Sequence, residues 1–403
     1  MARSSAAPDP FPSDRAAGAG VAQDTRSLSA ALRLLWFAFA LDALAFGVGL
    51  YWDNQWHKTN RFDDFFSPPH LFIYATHLFA TIAFAFLIRR ADWRQWFGPP
   101  FPLWFFPFPV PGVLALAGAG FVVIGLAGVF DAIWHTAFGL NETNWSLPHS
   151  MFKWGVCLEF IGLAGCRLAL AQRRPIGWPA ALALGFMLLS LPFEPIGGPL
   201  FDNIGPATVR EMSAYPVLAN SSPFQHTTRL YLLWGLTRES PLFAPVISLG
   251  VGLGLGLLYR CERRLLVILC VATVVTCGSQ VGPTPWVVLP VIVPAIVIAL
   301  RGRHLQTGDW LLAGALFGLV TALIWGVVVP RDLGDGTPRP ELLLIGALAS
   351  GPLMALGAAA AHYVAHVLAA PTRRRVLLVA VGFGGAAPVA CGAIDLWLRF
   401  HTP

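Results

Sequence analysis

Long apolar segments separated by short polar stretches dominate the hydropathy pattern of this chain. A membrane-spanning helix needs about 20 predominantly apolar residues, and the pattern contains about 11 segments near that length. It therefore predicts an all-α, polytopic bundle of transmembrane helices. The predicted spans are residues 31–52, 69–88, 111–132, 148–170, 177–193, 241–259, 265–278, 286–300, 310–329, 342–368 and 376–397. Because prolines interrupt the pair 265–278 and 286–300, these two segments could instead form one broken helix and a re-entrant piece.

Three regions follow from this pattern. Residues 1–29 are polar and predict a disordered cytoplasmic tail ahead of an uncleaved first span. Residues 30–175 hold half of the ten histidines and predict a metal-binding helical bundle. Residues 176–403 predict a second membrane domain with a long outer loop at 194–240.

The composition excludes several classes of protein. Apolar residues make up 56% of the 403 residues and charged residues only 12%. Soluble domains are nearer a quarter charged, so a soluble enzyme, a disordered protein and a nucleic-acid-binding protein are all ruled out. The lipid bilayer is the expected surrounding.

The basic residues predict the orientation of the helices. With the N-terminus inside, 18 of the 27 Lys and Arg residues fall in inner loops and 8 in outer loops. This asymmetry follows the positive-inside rule. An odd number of spans then places the C-terminus outside.

A repeated polar motif interrupts the apolar pattern of the first half. The first copy has Asp53 and His57, then twelve residues and His70. The second copy has Asp131 and His135, then thirteen residues and His149. Each copy reads D-x-x-W-H, and its second histidine follows a proline.

The spacing predicts two three-ligand clusters at the outer ends of consecutive helical hairpins. Asp and His four residues apart share a helix face, and proline marks the first turn of the next helix. Two imidazoles and one carboxylate suit copper, with zinc or iron as less favoured ions, and leave a coordination position open. The alternative is a belt of interfacial polar and Trp residues without metal.

Three ionisable residues deeper in the apolar segments are further candidates. We expect His77 to serve a hydrogen bond within the bundle rather than the same metal as His70, because it lies about 10 Å deeper. Asp42 could belong to a proton path or to a helix–helix hydrogen bond, and Glu159 requires a partner.

The first copy resembles the C subunit of copper membrane monooxygenases, the particulate methane and ammonia monooxygenases. The resemblance lies in the stretch from Asp53 to His70, which reads DNQWHKTNRFDDFFSPPH, and it covers about residues 30–175. It implies copper ligation by Asp53, His57 and His70. It implies a second site at Asp131, His135 and His149, with Glu142 matching an acidic residue of the family.

One departure is that Asp131 stands where the family has Asn, so a more anionic second site is expected. The family's subunit works beside two others, one with a cupredoxin-like domain that we do not expect within these 403 residues. Other monooxygenase subunits and further copies of this chain are therefore expected partners.

These observations lead to one main functional hypothesis. The protein would be a copper-dependent membrane monooxygenase that oxidises a small apolar substrate with dioxygen, in the bacterial inner membrane, with its metal sites at the periplasmic face. No acid–base catalytic residue and no organic cofactor site is predicted. The alternatives are a copper-handling membrane protein without catalysis and a supporting subunit of a monooxygenase complex.

Overall fold

The structure is a computed structural model of the 403-residue chain. It describes residues 25–59, 65–103, 107–138, 146–170, 177–190, 243–262, 264–281, 290–302, 305–324, 340–369, 371–385 and 393. Residues 1–24 of the predicted tail and the predicted outer loop at 194–240 lie outside these residues. Residues 25–29, predicted to belong to the disordered tail, are helical.

The first half of the chain is almost entirely helical where it is described. Its α-helices are α1 (Thr25–Leu44), α2 (Leu50–Thr59), α3 (Pro68–Arg89), α4 (Ala91–Arg94), α5 (Gly112–Phe138) and α6 (Leu147–Leu170). A π-helical turn at Ala45–Gly49 joins α1 to α2, and a 3₁₀ turn at Gln95–Phe97 follows α4. Two-residue strands β1 (Pro100–Phe101) and β2 (Val110–Pro111) pair antiparallel before α5.

The second half has the same helical character. Its α-helices are α7 (Trp178–Ser190), α8 (Phe243–Cys261), α9 (Leu265–Val281), α10 (Ile292–Arg301), α11 (Thr307–Leu323), α12 (Pro340–Ala369) and α13 (Arg373–Val379). A second π-helical turn at Ala380–Gly385 continues α13. Each of the predicted spans coincides with a helix or part of one.

The chain is an all-α helical bundle with the character of a membrane protein, as the sequence predicts. Five of the described helical stretches are long and apolar enough to cross a bilayer, at Ser27–Asp53, Pro68–Arg89, Gly112–Trp134, Ala244–Cys261 and Leu344–Ala369. Helix α6 is equally long but carries Lys153, Glu159 and Arg167. The number of spans and their orientation remain predictions.

Helix α6 packs at the centre of the described bundle and touches both halves of the chain. It packs along α5 on one side and contacts α8, α12 and the terminal π-helical turn on the other. The indole of Trp154 donates a hydrogen bond of 3.0 Å to the carbonyl of Ala380. Buried apolar residues of both halves form one core, so the predicted boundary at 175 does not separate two cores.

Glycine allows α5 and α6 to approach each other closely. A Cβ on Gly120 would lie 2.6 Å from the backbone nitrogen of Glu159 and 2.6 Å from the carbonyl oxygen of Gly155. A Cβ on Gly155 would lie 2.9 Å from the backbone nitrogen of Ile124. Small residues at such contacts let membrane helices pack backbone to backbone. This contact places Glu159 against α5 in the middle of the bundle.

The π-helical turn at Ala45–Gly49 changes the relation between Asp42 and Asp53. In a continuous α-helix these two residues, eleven apart, would share a face. A π-helical turn accommodates an extra residue and so rotates the following helix by about 100°. Asp42 consequently points into the bundle, where it is fully buried, while Asp53 lies beside His70 at the start of α3.

Candidate metal centres

The first hairpin brings Asp53 and His70 together at its end. Asp53 lies in the first turn of α2, and His70 in the first turn of α3, which Ser67 precedes and two prolines begin. The Nε2 atom of His70 lies 2.9 Å from the Oδ1 atom of Asp53. Both side chains keep 17–18% of their surface exposed, although the Oδ1 atom of Asp53 itself is buried.

The second hairpin pairs the same residue types, with a wider separation and through the other ring nitrogen. The Nδ1 atom of His149 in α6 lies 3.9 Å from the Oδ1 atom of Asp131 in α5. The Ser146 hydroxyl, three residues earlier, lies 2.7 Å from the same His149 nitrogen. Hydrogen bonds of this kind fix the ring orientation and tautomer of metal-binding histidines. A serine occupies the same place in the first copy, three residues before His70.

The two Asp/His pairs sit on neighbouring helices. Tyr74 lies one turn after His70, and its ring centroid is 5.9 Å from that of the imidazole. The same Tyr74 ring lies 3.8 Å from the position of a Cβ on Gly128 of α5, one turn before Asp131. A single aromatic side chain thus spans the distance from one hairpin to the other.

The donor atoms of these pairs suit a first-row transition metal. Two ligands that each bind an ion at about 2.0–2.1 Å lie about 2.9–3.4 Å apart. The separation of 2.9 Å between Asp53 and His70 is at the short end of this range. The 3.9 Å between Asp131 and His149 is longer than this range, and it is measured to the nitrogen that also contacts Ser146. The backbone of His57 and His135 is helical, and their side chains lie outside the described part of the chain.

A third group of ionisable residues lies deeper in the bundle. Asp42 of α1, His77 of α3 and Glu159 of α6 place potential ligand atoms within 4.8 Å of one another. All three side chains are buried, and Asp42 and Glu159 are fully so. The prediction that His77 makes a hydrogen bond within the bundle is confirmed, because its Nδ1 lies 3.0 Å from Asp42.

Sequence reasoning identified these three residues separately and missed that they meet. The feature that could have indicated this cluster is the depth of each residue in its helix. His77 lies seven residues after His70 and Glu159 ten after His149, which are depths of about 10 and 15 Å. Asp42 lies at a similar depth before Asp53. Three lone ionisable residues at matching depths in apolar helices are candidates for a single cluster.

One groove of the described structure lies elsewhere. It has a volume of about 580 Å³ and an apolar lining between α1, the end of α6 and α7. None of the residues of the three metal-ligand groups lines it. The groove is therefore not a ready pocket for substrate at the outer Asp/His pairs.

Comparison with known protein families, with characterised proteins and with solved structures found no match to this chain. The resemblance to copper monooxygenase subunits consequently depends on the repeated motif alone. Glu142 lies outside the described residues, so its relation to the second pair remains a prediction.

Proposed function

We propose that this protein is an integral membrane copper protein of the monooxygenase type. The observation that supports this most strongly is the repetition of one arrangement in consecutive hairpins. In each hairpin an aspartate and a histidine meet at corresponding helix ends. The nitrogen–oxygen distance is 2.9 Å between His70 and Asp53 and 3.9 Å between His149 and Asp131. Accidental interfacial polar residues would have no reason to repeat both the residue types and the pairing.

The copper ligands in this proposal are Asp53, His57 and His70 at one site and Asp131, His135 and His149 at the other. Copper bound there would supply the binding and activation of dioxygen. The chain itself would orient the imidazoles, hold the ion near the water interface and leave one coordination position open. An aspartate with copper(I) is neutral overall, which lowers the cost of placing the site close to lipid.

The substrate in this proposal is a small apolar molecule that arrives through the bilayer. The location would be the bacterial inner membrane, with both sites at the periplasmic face, because the basic residues favour an inside N-terminus. Other monooxygenase subunits would supply functions for which this chain has no recognisable motif, and several copies could assemble together.

Metal analysis of the purified full-length protein tests the copper sites. We expect His57→Ala and His135→Ala each to lower the copper-to-protein ratio, because removing one of three ligands weakens the site. The control is His304→Ala, because His304 belongs to neither of the proposed copper sites. Zinc as the sole co-purifying metal, or full copper in both variants, would contradict the proposal.

An oxidation assay tests the catalytic part of the proposal. The copper-loaded protein, alone and with candidate partner subunits, is supplied with a reductant, isotopically labelled dioxygen and small hydrocarbons, alcohols or amines. Label in an oxidised product, lost on removal of copper, is the expected result. If the protein binds copper stoichiometrically but forms no product under any condition, the copper-handling alternative replaces the catalytic one.

A further inference from the structure

We propose that Asp42, His77 and Glu159 form a third metal site, which binds a divalent first-row cation inside the helical bundle. This site is separate from the outer Asp/His pairs and does not depend on their binding copper. It lies about 10–15 Å deeper along α3 and α6, too far for its residues to share an ion with His70 or His149.

The His77 ring is held in the orientation that metal-binding histidines adopt. Its Nε2 lies 3.1 Å from the carbonyl oxygen of Phe121, which can only accept a hydrogen bond, so Nε2 carries the proton. The Nδ1 atom is hydrogen-bonded to the Oδ1 atom of Asp42 at 3.0 Å, and an ion bound between the two side chains would take the place of the proton in that hydrogen bond. Ligating histidines generally donate their other ring N–H to a carbonyl or carboxylate in this way.

The two carboxyl groups present further oxygens toward the same point. Both oxygens of Glu159 and the Oδ2 atom of Asp42 are buried, and within the described part of the chain they have no partner other than the neighbouring carboxyl group. An unpartnered buried carboxylate is costly, and two side by side repel each other as well. A cation among them satisfies the free oxygens and neutralises both charges at once.

The surroundings of the cluster exclude water. The ring of Phe121 stacks on His77 with centroids 5.6 Å apart, and Phe39 packs on Phe121 at 5.9 Å. On the other side, the rings of Phe46 and Phe160 pack with their centroids 6.0 Å apart. Phe46 lies one turn after Asp42, and Phe160 directly follows Glu159. In such an apolar shell electrostatic attraction is little screened, so a divalent ion binds two carboxylates strongly.

The donor set indicates the class of metal. One imidazole nitrogen and two carboxylates suit manganese, iron(II) or zinc, whereas copper(I) prefers softer ligands. Two carboxylates and a divalent cation are neutral overall, which favours burial in the bundle. The third site should therefore hold a different metal from the outer pairs.

The test uses the full-length protein with the outer sites disabled by His70→Ala and His149→Ala. The purified protein is stripped with a chelator, reloaded with Mn²⁺, Fe²⁺ or Zn²⁺ in separate samples, and analysed for bound metal. We expect about one ion per chain for at least one of these metals. Asp42→Asn, His77→Asn and Glu159→Gln should each reduce the affinity at least about tenfold, since even changes around ligands have that effect.

The control variant is Glu262→Gln, which applies the same change to a buried glutamate that pairs with Arg264 at 2.7 Å. Thermal unfolding separates metal loss from misfolding, because the ion should raise the melting temperature of the parent and not of the Glu159→Gln protein. The proposal is overturned if the parent protein binds none of the three metals, or if all three variants bind as much metal as the parent. The three residues would then form a cluster held by hydrogen bonds or shared protons. Failure at the outer sites does not affect this result.

Discussion

At the scale of single residues, similar side chains have different roles according to where the helices place them. Asp53 and Asp131 lie at helix ends with partly exposed histidine partners. Asp42 is fully buried in the bundle and faces a histidine whose other nitrogen is already engaged by a backbone carbonyl. The first two keep part of their side-chain surface exposed, whereas the third is enclosed within the bundle.

Asp131 is the residue at which this chain departs from the copper monooxygenase pattern. We expect Asp131→Asn to retain copper binding at the second site but to weaken it by about tenfold, because one negative charge is removed while an oxygen ligand remains. The measurement is copper affinity by competition with a chelator of known affinity. Asp92→Asn, an exposed aspartate paired with Arg90, is the control and should leave the affinity unchanged.

At the scale of helices, close contact between α5 and α6 determines where Glu159 lies. Gly120 and Gly155 face each other across this contact, and Glu159 follows Gly155 by one turn on the same face of α6. Larger residues at either glycine would separate the two backbones and move Glu159 away from His77. The deep cluster therefore depends on the packing of glycines that are not themselves part of it.

Gly120→Ala should destabilise the protein by about 1–3 kcal/mol, the usual effect of overfilling a well-packed contact. The added methyl group would overlap the backbone of α6 at 2.6 Å. Gly125→Ala on the same helix is the matched control, because no atom lies within 4 Å of its Cβ position. Thermal unfolding of both variants in detergent provides the comparison, and equal melting temperatures would show that α5 and α6 are not in close contact.

At the scale of the whole molecule, one helical bundle presents ligand groups at two depths. The outer pairs lie at the ends of two hairpins, and the deep cluster joins α1, α3 and α6 below them. The second half of the chain packs against α6 through α8 and α12. Within the described residues, the second half contributes packing rather than ligands to these sites.

The orientation of the bundle is testable with reporter fusions. We expect a reporter that is active only in the cytoplasm to give no signal after Pro403, because the basic asymmetry and an odd number of spans place that end outside. The same reporter after Arg94, in a predicted inner loop, should be active and serves as the control. A signal after Pro403 would contradict the span count and the predicted sides of the second-half loops.

The sequence by itself determined the fold class and the outer ligand candidates. Apolar segment length predicted the long apolar helices, because in a bilayer only helices and closed barrels satisfy the backbone. The spacing in Asp53–His57–His70 and Asp131–His135–His149 predicted that these residues meet, since helix periodicity and a proline-started hairpin are local properties. The structure brings Asp53 to within 2.9 Å of His70 and Asp131 to within 3.9 Å of His149, while the positions of the His57 and His135 side chains remain a prediction.

Only the tertiary structure decided that Asp42, His77 and Glu159 form one cluster. Their proximity depends on three helices that are far apart in the chain, on the rotation introduced by the π-helical turn and on the close approach at Gly120. None of these is encoded in a short motif, because helix rotation and interhelical distance arise from the packing of many side chains at once. The sequence showed three isolated ionisable residues in apolar helices, and the packing of those helices made them neighbours.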